Sequence, residues 1–155
     1  MIRAMIQSDL ERVTELEKEL FSLPWGFEDF KHELEDNEFA HYYVLLENEC
    51  IVGYCGFWTL YEQAQITTIG VTKEAQGKGY ASQLMELIEE ISSKLGCETC
   101  SLEVRVSNIP AQKLYEKYGY ITINIRKSYY SDNHEDAFLM MKAIGGFDES
   151  NYTSN

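Results

Sequence analysis

Between an apolar, β-like run at residues 66–71 and a strongly amphipathic helical stretch lies the segment Gln76-Gly77-Lys78-Gly79-Tyr80-Ala81. A strand that passes through two glycines into a helix leaves bare N–H groups at the positive end of the helix dipole. Such groups form a ready site for phosphate oxygens, and glycine lets a ligand approach the main chain closely. The segment has neither the G-x-x-x-x-G-K-[ST] of a Walker loop nor the dinucleotide fingerprint G-x-G-x-x-G. It therefore predicts a strand-to-helix turn that binds a phosphorylated ligand, with a turn that merely redirects the chain as the alternative.

No Pro- or Ser-rich linker and no repeat divides the 155 residues. That length suits one domain whose core buries about two thirds of the unfolded surface. The domain is expected over residues 1–143, with a polar tail at 144–155. Residues 1–6 read as a first strand. Ser8-Asp9-Leu10-Glu11 has the S-x-x-E capping-box pattern, and Leu10, Val13, Leu16 and Leu20 follow with helical spacing. After Pro24-Trp25, a short second helix carries Phe27, Phe30, His32 and Leu34 and ends near Asn37. Residues 42–46, 51–60 and 65–72 read as strands, the first two joined by a hairpin turn at 47–50. Leu84, Leu87, Ile88, Ile91 and Leu95 then share one helix face, which Gly96 ends. A strand at 99–106 leads to Asn108 as N-cap, Pro110 in the first turn, a helix through Tyr118 and Gly119 as its stop. Strands at 120–127 and 136–143 bracket a loop at 128–135. The order is β-α-α-β-β-β-α-β-α-β-β.

Thirteen basic against 26 acidic residues give a formal charge of −13. This argues against nucleic acid, whose binding draws on Lys and Arg neutralising phosphates. The acidity fits a cationic partner or serves solubility alone. No apolar run suits a signal peptide or a membrane span, so a cytoplasmic protein without a membrane partner is expected. Four cysteines include Cys97-Glu-Thr-Cys100. A structural zinc site needs a second ligand pair and a redox pair belongs at a helix start, whereas this motif follows Gly96 and leads into a strand. The cysteines are expected to be buried, reduced and structural, and no metal is expected.

The turn at 76–81 matches Q/R-x-x-G-x-G/A, the pyrophosphate loop of the GCN5-related N-acetyltransferases, and the order of elements is that of their fold. The chain resembles this family over about residues 1–143. The resemblance implies a single α/β domain with a mixed central sheet, splayed strands and flanking helices, and acetyl-coenzyme A as co-substrate with no metal. It further implies that the main chain of Ile69, Gly70 and Val71 holds the pantetheine arm, with the Val71 N–H polarising the thioester carbonyl. Gln76, Gly77, Lys78, Gly79, Tyr80, Ala81 and Ser82 would bind the diphosphate, Lys78 adding charge. Gly70 stands where the family often has alanine.

A second segment, Leu102-Glu103-Val104-Arg105-Val106-Ser107-Asn108 followed by Ala111, Leu114-Tyr115 and Gly119-Tyr120, is similar to the L-E-V-R-x-S-N-x-x-A-x-x-L-Y-x-x-x-G-F signature of family members that acetylate protein N-termini. Only Tyr120 departs from it. On a strand, Glu103 and Arg105 share the face opposite Leu102, Val104 and Val106. The resemblance implies Glu103 as proton acceptor, Tyr115 as the acid that protonates the departing thiolate, and Asn108 as a cofactor contact. From the residues alone, a solvated glutamate, a core aromatic and a plain N-cap remain alternatives. A third segment, with Tyr129 and Tyr130 ahead of Asp136-Ala137, resembles the hairpin that walls the peptide groove in those enzymes. Trp25 resembles the opposite wall, where Gly26 replaces the usual Ser or Thr and leaves the second helix without a side-chain cap. The implied reaction is transfer of acetyl to the α-amine of a basic protein N-terminus, the N-terminal alanine of a ribosomal protein such as small-subunit protein eighteen. An acetyltransferase for lysine or small amines, and a non-catalytic acetyl-coenzyme A sensor, are the alternatives.

Overall fold

In the computed structural model, which describes residues 1–145, the glycine turn stands where a strand gives way to a helix. Strand β4 (Gln63–Val71) ends, a 3-10 turn at Lys73–Ala75 follows, and α3 (Tyr80–Lys94) begins beyond the glycines. The other elements are β1 (Ile2–Ala4), α1 (Leu10–Leu20), α2 (Phe27–Asp36), β2 (Ala40–Glu47), β3 (Cys50–Leu60), β5 (Thr99–Arg105), α4 (Ile109–Lys117), β6 (Ile121–Arg126) and β7 (Ala137–Ala143). Their order is the expected one. The strands form one seven-stranded sheet in the order β1-β2-β3-β4-β5-β7-β6. β4 and β5, joined through a helix, run parallel, while β1 with β2, β2 with β3, β5 with β7 and β7 with β6 run antiparallel. No described helix is long and apolar enough to cross a membrane.

Two compact units divide the described chain, Met1–Thr59 with Ile66–Ile88, and Leu60–Gln65 with Glu89 onward. In the first, the helical stripe of Leu10, Val13 and Leu16 packs with Phe30, Tyr42, Val44 and Tyr54. The Tyr42 ring covers Gly56, where a Cβ would come within 2.1 Å of it. The β2–β3 turn has positive φ at both central residues, Asn48 (52°) and Glu49 (67°), the handedness that matches strand twist in a two-residue hairpin. The expected Ser8–Glu11 capping box is not formed. A 3-10 turn over Gln7–Asp9 precedes α1, and this earlier turn makes Asp9 the closing acid. Its Oδ2 accepts the Ile6 N–H at 2.8 Å, and its two oxygens take the Arg3 guanidinium at 2.7 and 2.9 Å. At α2, Asp29 accepts the Gly26 N–H at 2.8 Å, the half of a capping box that needs no side chain on residue 26.

In the second unit, β5 alternates as expected, burying Cys100, Leu102 and Val104 and turning Ser101, Glu103 and Arg105 to the other face. Asn108 caps α4 by accepting the Ala111 N–H at 3.2 Å. The Gln112 amide donates to the carbonyls of Arg105 and Val106, tying the helix to the strand end. Cys55, Cys97 and Cys100 are free and buried, and burial pushes the Cys55 and Cys100 thiols up to about 12. Cys50 departs from the expectation. As the first residue of β3, beside the turn, it is exposed. The expected tail begins with Ile144 still donating to the Glu98 carbonyl at 2.9 Å, and its residues 146–155 lie outside the described residues.

Candidate active site

In α3, Gln83 N–H donates to the Gly79 carbonyl at 3.1 Å. The N–H groups of Tyr80, Ala81 and Ser82, in the first turn, are therefore outside the helical ladder. Gly77 and Gly79 have φ of +84° and +83°, and nothing lies within 4 Å of where a Cβ would stand on either. Glycine is required here by conformation, and the result is an open backbone cradle at a positive helix end, which fits a diphosphate. Gly70 answers a different need. A Cβ there would meet Leu20 Cδ1 and Tyr54 Oη at 2.9 Å, so the alanine common at this place in the family would require Leu20 and Tyr54 to shift. Gln76 closes the loop onto the strand by donating to the Val71 carbonyl at 3.0 Å. Lys78 Nζ lies 3.0 Å from Glu47 Oε2, an oxygen that also accepts the Tyr80 hydroxyl. Tyr80 first, and then Lys78, hold the Glu47 carboxyl below its ordinary range. The ammonium expected to serve the diphosphate is thus shared with the β2–β3 turn.

The same unit holds Trp25, whose ring centroid lies 5.4 Å from that of Phe30 and 6.3 Å from that of Tyr42. The Trp25 main-chain N–H donates to Glu17 Oε2 at 3.2 Å. Glu17 and Glu33 are buried carboxylates that sequence reasoning missed. Glu33 accepts from Tyr42 Oη (2.9 Å), Trp58 Nε1 (2.6 Å) and Asn37 Nδ2 (2.7 Å). An available signal was position, since Glu17 follows Val13 by four residues and Glu33 follows Phe30 by three, which places both acids on apolar stripes.

In the second unit, Glu103 Oε1 lies 3.2 Å from Arg126 Nε, and Oε2 accepts from Gln65 Nε2 at 3.2 Å. Tyr129 and Tyr130 stand edge to face, centroids 5.0 Å apart. The Arg105 guanidinium sits 3.9 Å from the centre of the Tyr130 ring and pairs with Asp132 at 2.8 Å and Glu135 at 3.4 Å. Burial is the main cause that pushes the Tyr130 phenol up to about 12, and the Glu103 charge adds to it. Tyr129 is raised by burial and then by Glu103. Tyr115, in the second turn of α4 and only 8 % exposed, packs edge to face on Tyr120 at 6.2 Å. Burial, helped by Tyr130, holds its phenol well above the ordinary range. It is a proton-bearing group throughout neutral pH. Tyr129 and Tyr130 thus stand against one another, Arg105 of the L-E-V-R segment stacks on Tyr130, and Glu103 is held by Arg126 and by Gln65, a partner that the motifs did not contain. Asn108 uses its side-chain oxygen in the cap.

A glycine cradle at a helix start, after a strand of a mixed sheet, defines a site for a diphosphate-bearing ligand, the class to which coenzyme A belongs. The acetyltransferase (GNAT) family description matches residues 10–120, and the chain belongs to this family. Its co-substrate is acetyl-coenzyme A. The chain is 41% identical over 143 residues, 92% of its length and 95% of the other's, to a Bacillus subtilis protein with a provisional ribosomal protein bS18-alanine N-acetyltransferase name. It is 36% identical to the ribosomal protein bS18-alanine N-acetyltransferase of Haemophilus influenzae, covering 85% of this chain and 90% of that one. The crystal structure of the Escherichia coli ribosomal-protein-alanine N-acetyltransferase superposes with a TM-score of 0.85 at 28% identity, covering 94% of each chain.

Proposed function

We propose that this chain transfers acetyl from acetyl-coenzyme A to the N-terminal alanine α-amine of a ribosomal protein, small-subunit protein eighteen, in the cytoplasm, by direct attack of the amine. The observation that carries this reading is the Glu103 carboxylate on β5, held with Arg126 Nε 3.2 Å from Oε1 and Gln65 Nε2 3.2 Å from Oε2. Acetyl-coenzyme A supplies the activated acyl group and a thiol leaving group. The main chain of Ile69, Gly70 and Val71 and the loop from Gln76 to Ser82 bind it. Glu103, oriented by Arg126 and Gln65, receives the proton of the incoming amine. Tyr115 holds its proton on Oη for the departing sulfur. Tyr129, Tyr130 and Trp25 wall the peptide groove. The net charge of −13 favours a basic N-terminus over nucleic acid. An α-amine is about a tenth neutral at pH 7, whereas a lysine amine is neutral in only a few per ten thousand molecules. A carboxylate therefore meets a far easier proton on the α-amine.

The test is incubation with acetyl-coenzyme A and a library of N-terminal peptides, with products located by mass spectrometry. Alanine-led peptides with following basic residues are expected to be acetylated on the α-amine. Faster acetylation of internal lysines, spermine or aminoglycosides would replace this reading with the small-amine alternative.

A further inference from the structure

Glu17 sits in the third turn of α1 at 3 % exposure, and no cation pairs with it among the described residues. An unpaired carboxylate is costly to bury unless hydrogen bonds satisfy it. Here three neutral donors do so. Oε1 accepts the Tyr54 hydroxyl at 2.8 Å and the Thr68 hydroxyl at 2.9 Å, while Oε2 accepts the Trp25 main-chain N–H at 3.2 Å. Each donor comes from a different segment: β3, β4 and the α1–α2 connection. Tyr54 in turn presses its hydroxyl against Gly70, and Thr68 directly precedes Ile69. One acceptor-only group thus joins the connection that carries Trp25 to the strand that carries Ile69–Val71.

We infer that Glu17 is a positioning residue for the peptide substrate: its Oε2 anchors the Trp25 main chain, and so the Trp25 wall of the groove, to a carboxylate fixed through Oε1 by β3 and β4. This rests on the proposed role of Trp25 as a groove wall. The division of labour between the two oxygens makes the inference separable from a plain structural role. In Glu17→Gln the amide oxygen can keep Tyr54 and Thr68, but the NH₂ group replaces Oε2 and faces the Trp25 N–H, donor against donor. In Thr68→Val one donor to Oε1 is lost and the Trp25 bond is kept.

The experiment combines amide exchange at Trp25, followed by ¹⁵N NMR, with steady-state kinetics on one alanine-led basic peptide. Glu17→Gln is expected to speed Trp25 exchange at least about tenfold and to raise the peptide KM by about the same factor. The acetyl-coenzyme A KM and kcat should stay within about twofold, and Glu17→Asp, which keeps the acceptor, should recover part of the peptide KM. Thr68→Val, which leaves Tyr54 on Oε1 and Trp25 on Oε2, should alter Trp25 exchange and the peptide KM clearly less than Glu17→Gln does. Unaltered Trp25 exchange in Glu17→Gln would overturn the inference, as would parallel losses in kcat and both KM values. Faster exchange with an unchanged peptide KM would uphold the clamp and instead reject Trp25 as a groove wall. Should Glu17→Gln not fold, the unmodified chain decides: a Trp25 amide that exchanges as fast as an unstructured one overturns the clamp, and a protected one upholds it.

Discussion

Arg126 reaches across strand β7 to Glu103. The register sets Glu103 opposite Leu139 and Arg126 opposite Ala137, two residues along the same face of β7, and Nε comes within 3.2 Å of Oε1. With Gln65 on the other oxygen, the proposed proton acceptor is held in one orientation. Glu103→Gln keeps the shape and removes the base, so kcat is expected to fall by about 10²-fold, the scale of a general base. Part of that loss should return at high pH, where the amine is already neutral. A pH–rate profile on one alanine-led peptide checks both statements, and a wild-type profile would remove Glu103 from the chemistry.

Gly79→Val places a β-branched side chain at φ +83°, beside N–H groups proposed to hold the diphosphate. Calorimetry is expected to show acetyl-coenzyme A affinity reduced at least about tenfold. Because a Cβ there would touch nothing within 4 Å, the folded chain should lose only the cost of left-handed backbone, about 1–2 kcal/mol. Unchanged affinity would move the diphosphate elsewhere.

What was legible in the chain had local causes. The segment from Leu102 to Gly119 carries its own alternation, N-cap, Pro110 and left-handed Gly119, all set within a few residues, and each formed where the pattern placed it. Features decided by distant partners were not legible. Lys78 looks like a free phosphate ligand until the hairpin turn brings Glu47 to it from 31 residues away. The Glu103–Arg126 pair depends on a β6–β7 register that shifts between Thr122 and Asn124, which no periodicity announces. Ser8 and Glu11 fitted a capping template, but Asp9 gained both a main-chain donor and Arg3, and that stronger combination set the helix start. For Glu17 and Glu33, a place on an apolar stripe competes with the rule that acids on a helix are ordinarily solvated.

Gly56→Ala should be among the most damaging small substitutions in the first unit. Its Cβ would stand 2.1 Å from the Tyr42 ring. The ring must then leave Glu33 and Thr67, its hydroxyl partners at 2.9 and 3.0 Å. Overpacking together with a buried acceptor deprived of a donor predicts a loss of about 3 kcal/mol or more. Urea denaturation measures it, and a loss below about 1 kcal/mol would show that the ring can move without penalty.

Asp9 should contribute to stability with a definite pH dependence. The Arg3 hydrogen bonds, followed by the Ile6 N–H, outweigh the opposing effect of burial and lower its carboxyl below the ordinary value. A lowered folded-state value means that the contribution is full above the unfolded value of about 3.9 and is lost as pH falls through the folded one. Asp9→Asn is therefore expected to be less stable than the parent at pH 7, with the gap closing below about pH 4. Melting curves of both chains across that range check this, and a gap independent of pH would assign Asp9 a role other than its charge.

Tyr115→Phe separates ring from proton. The ring is buried against Tyr120, so the substitution should leave the melting temperature and the binding of both substrates close to wild type. The missing hydroxyl should show only in turnover, lowered by about 10²-fold or more if Tyr115 supplies the proton to the departing sulfur. Its phenol is raised by burial and by Tyr130, so in the parent enzyme it keeps that proton over the whole neutral range. The variant's defect therefore cannot be repaired by raising pH, in contrast to Glu103→Gln, whose defect lies in deprotonating the amine. Single-turnover kinetics alongside the pH–rate profile establish that chemistry limits the rate. A Tyr115→Phe enzyme that turns over at the parental rate under that condition would take Tyr115 out of the reaction and leave it as a core residue of α4.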